Sequence, residues 1–301
     1  MKALVTGGAG FIGSHLVDKL VDKGHEVVVV DNLSTGLESN LNYFDINVLK
    51  VSIENLPRMY QIFSMEKPDI VFHLAAHPGV PKSIENPVGT HDVNVTGTIN
   101  ILEAARQNGV KRVVFSSSSS IYGGTLVQPT PESKDCNPKS PYAMHKTMGE
   151  QYCKLYSKIY GLDTVSLRYF NVFGPRQRHD SPYAAVIPAF INCAKTDRRP
   201  TIYGNGEQYR DFCYVDNVVQ ANILVAIHQG RFDGEAFNVG CEDRITINKV
   251  HKLSGAPPAI YADKRPGDVM RSQASISKLK AIGYNPNISF EDGMRRLLEA
   301  N

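Results

Sequence analysis

The sequence predicts an α/β fold in which a doubly wound parallel sheet is followed by a smaller C-terminal α/β domain. Short apolar runs alternate with helical segments through residues 2–169, and such alternation is typical of a parallel sheet covered by helices on both faces. A glycine-rich turn directly follows the first apolar run. The unbroken valine run 27–30 is typical of a strand that is buried on both faces.

The individual elements follow from apolar spacing and from the residues that end helices. Apolar side chains recur every three or four residues in the expected helices, and Gly24, Gly109 and Gly161 stand where three of them end. The expected strands are residues 2–6, 26–31, 69–74, 111–116 and 164–169. The expected helices are residues 11–22, 57–66, 88–108, 141–160, 216–229 and 289–300. After Gly174 the elements shorten, which indicates a cap over the carboxyl edge of the sheet, where ligands bind in such folds.

The composition describes a globular protein without a bias towards nucleic acid or membranes. Hydrophobic residues make up 42% and charged residues 21%, and 33 basic against 30 acidic residues leave a formal charge of +3. No apolar run approaches the roughly 20 residues that cross a bilayer, and the chain passes from Met1 directly into a strand. The five cysteines have no paired spacing, and His73, His77 and His91 are interpreted as structural. We therefore expect a cytoplasmic protein with reduced thiols, no signal peptide, no metal and no nucleic-acid or membrane partner.

The first turn carries a dinucleotide fingerprint. Gly8, Gly10 and Gly13 satisfy the pattern Gly-x-Gly-x-x-Gly, and Gly7 adds the variant Gly-x-x-Gly-x-x-Gly. Because the motif follows a strand and opens a helix, its backbone N–H groups are expected to bind a pyrophosphate at the helix start. Asp31 ends the second strand, where a carboxylate accepts hydrogen bonds from ribose hydroxyls and repels a 2′-phosphate. The pattern predicts a Rossmann domain that binds NAD in preference to NADP.

A second pattern predicts the catalytic group. Tyr142 and Lys146 lie four residues apart, which places them on one face of an expected helix. A free tyrosine has a pKa near 10, so only about one in a thousand is phenolate at pH 7, and a nearby ammonium favours the phenolate. The serine run 116–120 follows at the end of a strand, where a serine hydroxyl can hydrogen-bond a substrate oxygen and relay its proton. We predict that Tyr142 and Lys146 are catalytic together with a serine of this run, and that the tyrosine removes a proton from an alcohol beside the nicotinamide.

Several further motifs occur in a fixed order along the chain. They are residues 6–13, 31–36 (Asp-Asn-Leu-Ser-Thr-Gly), 73–76 (His-Leu-Ala-Ala), 94–98 (Asn-Val-Thr-Gly-Thr), 118–123, 142–146, 168–174 (Arg-Tyr-Phe-Asn-Val-Phe-Gly), 210–212 (Arg-Asp-Phe) and 265–268 (Arg-Pro-Gly-Asp). By these motifs the chain resembles the extended short-chain dehydrogenases/reductases of the NAD-dependent UDP-sugar 4-epimerase family, from residue 3 to about residue 290.

The resemblance implies a redox mechanism that leaves the cofactor unchanged. Tyr142, helped by Ser118, would take the proton of the sugar 4-hydroxyl while hydride passes from C4 to bound NAD. The 4-keto sugar would then turn over in the pocket and take the hydride back on its other face. NAD would therefore stay bound throughout the cycle.

The resemblance also implies the residues that hold the two ligands. Cofactor contacts are expected from Gly7, Gly10, Phe11, Ile12, Gly13, Asp31, Asn32, Ser34, Thr35, Gly36, Ser52, Ile53, Leu74, Ala75, Ala76, Asn94, Ser116, Tyr142, Lys146 and Tyr169. Substrate contacts are expected from Ser118, Tyr142, Asn171, Gln177, Val186, Tyr203, Arg210, Arg265, Asp268 and Ser272. Arg210 and Arg265 would grip the diphosphate, since guanidinium groups form bidentate bonds to phosphate oxygens. Ser52 stands where relatives carry an aspartate against adenine, so NAD is expected to be held less tightly.

Two domains and a homodimer are implied as well. The NAD-binding Rossmann domain is expected over residues 1–173 and 208–240, and the nucleotide-sugar-binding domain over residues 174–207 and 241–301. The helices 88–108 and 141–160 match the pair that forms a four-helix interface between two copies in the family.

The sugar is predicted from two differences between relatives. The serines 118–120 stand where related 4,6-dehydratases and UDP-glucuronate decarboxylases carry acidic residues, so those reactions are disfavoured. Ser272 falls where galactose-restricted epimerases carry a bulky tyrosine, and a small residue leaves room for a 2-acetamido group. Residues 173–177 and 184–188 also resemble N-acetylhexosamine epimerases. We predict that both the UDP-GlcNAc/UDP-GalNAc pair and the UDP-Glc/UDP-Gal pair are interconverted.

Three other interpretations stay open. A UDP-glucuronate 4-epimerase would need a pocket for the C6 carboxylate, and a nucleotide-sugar reductase would consume NAD(P)H stoichiometrically. A non-catalytic NAD-binding protein has no use for a proton acceptor at the nicotinamide, so the intact Ser118, Tyr142 and Lys146 argue against it.

Overall fold

The computed structural model describes residues 1–41, 46, 48–178, 185–264 and 269–300. Its strands are, in chain order, β1 (Lys2–Thr6), β2 (Glu26–Val30), β3 (Val48–Leu49), β4 (Ile70–His73), β5 (Arg112–Ser118), β6 (Asp163–Tyr169), β7 (Val172–Phe173), β8 (Thr201–Tyr203), β9 (Tyr209–Arg210), β10 (Cys213–Tyr214), β11 (Glu235–Val239), β12 (Ile245–Thr246), β13 (Ile260–Ala262) and β14 (Arg271–Ser272). Its α-helices are α1 (Phe11–Asp22), α2 (Leu56–Glu66), α3 (Val80–Glu85), α4 (Pro87–His91), α5 (Gly97–Gln107), α6 (Pro141–Tyr160), α7 (Val186–Lys195), α8 (Val215–Ile227), α9 (Ile247–Ser254), α10 (Ser277–Lys280) and α11 (Phe290–Glu299).

The main sheet confirms the predicted doubly wound α/β fold. Within the described residues, seven parallel strands lie in the order β11-β6-β5-β4-β1-β2-β3. The chain builds outward from β1 in one direction and returns to β4 to build outward in the other. The carboxyl ends of β1 and β4 therefore flank a topological switch point, which is where such sheets bind ligands.

Two helices begin and end where the sequence predicts, and the other predicted elements lie within two residues of their expected bounds. For α6 the cause is local: the Ser140 side chain accepts a hydrogen bond from the Ala143 N–H at 3.2 Å, and Pro141 occupies the first turn. Gly161 ends the same helix in the left-handed conformation at φ 69°. No helix in the described residues is long and apolar enough to span a bilayer.

The predicted helix 88–108 is interrupted. Its middle residues, Asp92–Thr96, form a π-helical segment between α4 and α5. The side chain of Asn94 in this segment accepts from the His77 N–H at 2.7 Å and donates to the His77 carbonyl at 3.0 Å. The π-helical segment thus directs the Asn94 side chain towards the loop at His77. Such segments are frequent at functional sites.

Apolar side chains pack on both faces of the sheet. On one face α1 and α8 contribute one cluster around Leu16, and on the other α2, α5 and α6 contribute a second around Phe63. A third cluster lies among the later elements and includes Phe173 and Phe290. Phe212 belongs to this third cluster, although the sequence-based division places residues 208–240 in the NAD-binding domain. The division into two domains stays a prediction.

A buried ion pair joins the strands at the amino edge of the sheet, opposite the switch point. Arg112 at the start of β5 donates to Asp163 at the start of β6 at 2.7 Å. Asp163 also accepts from the backbone N–H groups of Phe232 at 2.8 Å and Asp233 at 3.1 Å. Asp163 thus holds the segment before β11 onto the sheet.

At the carboxyl edge, His73 connects β1, β4 and α5. Its Nδ1 lies 2.8 Å from Thr6 Oγ1, and its Nε2 lies 3.0 Å from Thr98 Oγ1. Because the Thr98 hydroxyl donates to the Asn94 carbonyl at 2.7 Å, it must accept from His73, so the neutral ring carries its proton on Nε2. Thr6 then donates to Nδ1 and accepts from the Ala75 N–H at 3.2 Å. Burial lowers the pKa of His73 to about 3.

This pKa makes folding stability depend on pH. The unfolded ring binds a proton below about pH 6.5 and the folded ring does not, so stability is lost as the pH falls from 6.5 towards 3. We expect His73 to account for about 2 kcal/mol of lost stability between pH 7 and pH 5. Urea unfolding at both pH values measures this loss, and His73→Gln should show a correspondingly smaller one. His251→Gln is the control for the same chemical change, and an unaltered pH dependence in His73→Gln would contradict the assignment.

Candidate active site

A cleft of 820 Å³ opens at the carboxyl edge of the sheet and extends towards the later elements. All the predicted catalytic residues line it, and so do all the predicted cofactor residues except Gly36 and Asn94. The predicted substrate residues on its wall are Ser118, Tyr142, Asn171, Gln177, Arg210 and Ser272. Val186 and Tyr203 do not line the cleft, and Arg265 and Asp268, like Ala184, lie outside the described residues.

The cofactor end of the cleft is built by close backbone contacts. A Cβ atom on Gly7, which has φ 70°, would lie 2.7 Å from the Ala75 backbone nitrogen. A Cβ atom on Gly13 would overlap the carbonyl oxygen of Gly7. Only glycine at both positions allows α1 to start directly above the end of β1, with its N-terminus at Gly10 facing the cleft. The N–H groups of this helix start fit a pyrophosphate.

Asp31 stands at the end of β2 as predicted. Its two carboxylate oxygens accept from the Ala9 N–H at 3.0 Å and the Leu33 N–H at 2.8 Å, which fixes the side chain on the cleft wall. Burial raises the pKa of Asp31 and these two hydrogen bonds oppose the rise. Gly36 packs behind it, because a Cβ there would lie 3.0 Å from Asp31 Oδ2. Gly36 thus packs against a wall residue, and Asn94 holds His77, which lies between the wall residues Ala76 and Pro78; neither Gly36 nor Asn94 lines the wall.

Ser52, the departure from the family pattern, has a partner of its own. Its hydroxyl donates to Glu54 Oε2 at 2.6 Å, and its oxygen accepts from the Glu54 N–H at 3.3 Å. Ser52 lines the cleft, but its hydroxyl proton is already used in the hydrogen bond to the Glu54 carboxylate. The expectation of weaker NAD retention therefore stays a prediction.

The catalytic group is assembled by α6 and the end of β5. Lys146 is buried, with 4% of its surface exposed, and its Nζ donates to the Ser116 carbonyl at 2.7 Å and lies 5.9 Å from the centre of the Tyr142 ring. Burial lowers the pKa of Lys146 to about 8, and the charges of Cys153 and Glu150 oppose this. Burial raises the pKa of Tyr142, and the Ser118 side chain lowers it. The three predicted catalytic side chains thus meet in one place, with an ammonium beside the phenol.

The sequence did not reveal a buried network behind these residues. Glu150 accepts from Arg168 through both oxygens, at 2.9 and 2.7 Å, and also accepts from the Ser117 hydroxyl. Arg168 in β6 donates further to the Tyr122 hydroxyl at 2.8 Å. The one feature of the sequence that could have indicated this network is the position of Glu150, four residues after Lys146 and therefore on the same helix face.

The fold and the cleft define an α/β protein of the dinucleotide-binding class, with Tyr142 on the wall of its cleft. The chain matches the model of the NAD-dependent epimerase/dehydratase family over residues 3–240, and it belongs to that family. Its cofactor is accordingly NAD.

Similar proteins act on UDP-sugars. A putative UDP-glucose 4-epimerase of Methanocaldococcus jannaschii is 37% identical over 98% of this chain and 96% of its own. The crystal structure of UDP-glucose 4-epimerase from Thermotoga maritima with UDP-glucose has a TM-score of 0.95 at 40% identity, covering 100% of this chain and 98% of that one. UDP-N-acetylglucosamine 4-epimerase from Methanobrevibacter ruminantium in complex with UDP-N-acetylmuramic acid has a TM-score of 0.94 at 40% identity, covering 99% and 97%. These relatives support UDP-sugar 4-epimerisation as the class of activity.

The overlap at Gly13 leads to a test of the cofactor end. We expect Gly13→Ala to weaken NADH binding about 100-fold or more, because α1 must move away from the Gly7 carbonyl. Fluorescence titration with NADH measures this affinity. Gly24→Ala, at the other end of α1, meets open space and only the strain of φ 74°, so it should cost about 1 kcal/mol of stability and leave the affinity unchanged. Wild-type affinity in Gly13→Ala would contradict the geometry.

Proposed function

We propose that the protein is a UDP-hexose 4-epimerase that interconverts UDP-GlcNAc with UDP-GalNAc and UDP-glucose with UDP-galactose. The observation that carries the proposal is the group of Ser118, Tyr142 and Lys146 on a cleft of 820 Å³ that extends from the glycine turn at Gly10 to Arg210 and Ser272. Among the described residues of the cleft wall, Asp31 is the single acidic side chain, and it stands at the cofactor end. The sugar end therefore offers a tyrosine base and, within that part of the wall, no acid for an elimination.

In this proposal Tyr142 moves the proton and its neighbours control its charge. The Ser118 hydroxyl orients the sugar 4-hydroxyl, and the Tyr142 phenolate accepts its proton. The Lys146 ammonium, held by the Ser116 carbonyl, stabilises the phenolate. Bound NAD supplies the hydride acceptor at C4. Tyr142 returns the proton when the sugar is reduced on its other face, so neither group is consumed.

The substrate half of the proposed site is formed by Arg210 and Ser272. Both line the cleft, and the two residues are direct partners in the parallel pairing of β14 with β9. Arg210 would hold the diphosphate together with Arg265, and Ser272 would lie beside C2 of the sugar. We carry the remaining predicted cofactor and substrate contacts, and the two-domain division, as parts of the same proposal.

We also propose a homodimer through the helices α4, α5 and α6. Met144, Leu155 and Ile159 on α6 expose 47%, 43% and 59% of their surface, and Val88 on α4 exposes 71%. The spacing of 11 and 15 residues from Met144 puts the α6 side chains on one face of the helix. An exposed apolar stripe on α6, with Val88 on the neighbouring α4, fits the same surface of a second copy.

A second candidate is a UDP-glucuronate 4-epimerase. Lys139 and Arg271 add two positive side chains to the cleft wall beyond the residues assigned to catalysis and diphosphate binding. A C6 carboxylate would complement that charge.

Turnover by the purified protein without added reductant tests the function. We expect it to convert UDP-GlcNAc and UDP-glucose, supplied separately, to their C4 epimers without net NADH formation. Tyr142→Phe should lose about 10³-fold in kcat and keep its NAD, because it removes the base and no cofactor contact of comparable strength. Conversion of UDP-glucuronate alone would favour the second candidate. Stoichiometric NAD(P)H consumption would favour a reductase, and NAD binding without any turnover would favour a non-catalytic protein.

A separate variant tests the sugar preference. Ser272→Tyr should lower kcat/KM for UDP-GlcNAc at least about tenfold, since the ring would occupy the space of the acetamido group, and should leave UDP-glucose turnover within about threefold. Steady-state kinetics with both sugars measure the change. Ser272→Ala keeps the site small and should convert both substrates. Unchanged UDP-GlcNAc turnover in Ser272→Tyr would refute the assignment of Ser272.

A further inference from the structure

A buried carboxylate lies directly behind the substrate half of the cleft. Asp211 has no exposed surface and is not part of the cleft wall. Its Oδ1 accepts from the Cys241 N–H at 2.8 Å, and its Oδ2 accepts from the Ala274 N–H at 2.9 Å and the Glu242 N–H at 3.0 Å. One side chain thus satisfies three backbone donors from two segments that are distant in sequence. A buried N–H left without a partner is costly, so these bonds hold the segments firmly.

Asp211 is connected to three residues of the proposed substrate site. Arg210 precedes Asp211 in the chain, and Ser272 lies two residues before Ala274. The Asn171 side chain donates to the backbone carbonyl of Asp211 at 3.1 Å. The strands that carry Arg210 and Ser272 are only two residues long, so their own ladder contributes few hydrogen bonds.

The backbone at Gly240 packs closely against the carboxylate. A Cβ atom on Gly240 would lie 2.8 Å from Asp211 Oδ2 and 2.8 Å from the Ala274 side chain. An asparagine at position 211 would keep the shape, but its amide group would turn one donor towards a backbone donor. The site therefore requires an acceptor on both arms of the side chain.

We propose that Asp211 is a positioning residue for UDP-sugar binding, which fixes Arg210, Asn171 and Ser272 relative to one another without touching the substrate. The inference rests on the proposed function, because it assigns these three residues to the sugar nucleotide. It does not involve the catalytic group, since Tyr142 and Lys146 are held by α6 and β5.

The test compares two buried aspartates in the intact protein. Asp211→Asn should raise KM for UDP-GlcNAc and the Kd for UDP about tenfold, with kcat within about threefold of wild type and NADH affinity unchanged. Asp163→Asn is the matched control, because Asp163 also accepts backbone N–H groups of a distant segment but lies at the opposite edge of the sheet. It should lower the melting temperature and leave KM and the UDP affinity unchanged.

A milder variant covers the case in which Asp211→Asn does not fold. Gly240→Ala would push the carboxylate from its place and should raise the same KM and Kd in the same direction. Wild-type KM and UDP affinity in either folded variant would overturn the inference, and so would an equal change in Asp163→Asn. Calorimetric UDP binding does not require turnover. An inactive wild-type protein that binds UDP would therefore count against the proposed function, while the comparison of variants would still decide the role of Asp211.

Discussion

The geometry of the active site depends on how α6 docks on β5. The Lys146 ammonium donates to the Ser116 carbonyl, and one turn later Glu150 accepts from the Ser117 hydroxyl. Between them, Gly149 has no side chain, so the Phe115 ring packs against the helix backbone. These contacts fix both the rotation and the axial position of α6. Tyr142 and Ser118 belong to the two elements that are joined in this way, so their relative placement follows from the docking.

The elements that could be predicted from the sequence are those whose bounds are set by contacts between residues close together in the chain. The capping serine, the first-turn proline and the terminal glycine define α6, and the glycine turn defines the start of α1. The position of Gly7, Gly10 and Gly13 on the cleft wall was predictable for the same reason, because a strand, a turn and a helix suffice to place them. Val186 and Tyr203 do not line the cleft, and this could not be predicted from the sequence. Both lie on elements whose positions depend on the whole later half of the chain.

Buried polar residues were harder to predict, because their partners are distant in sequence. Glutamate and aspartate are residue types that usually lie on the surface. Only the fold brings Arg168 to Glu150 and three backbone N–H donors to Asp211. The strand β11 was missed for a related reason. Its Asn238 is fully buried and donates to the carbonyls of Thr130 and Ser275, so a polar residue stands where an apolar pattern is expected in a strand.

The π-helical segment between α4 and α5 has a consequence for the surface of the molecule. An α-helix turns 100° per residue, so each residue that a wider turn accommodates changes the phase between the two halves of the helix. The half before the segment presents Val88 to the outside, while the half after it buries Ile101 and Leu102 against the sheet. A deletion of one residue within Asp92–Thr96 would realign the two halves and rotate Val88 by about 100° relative to the core. The five-residue length of the π-helical segment therefore sets the angle between the outer face before it and the core face after it.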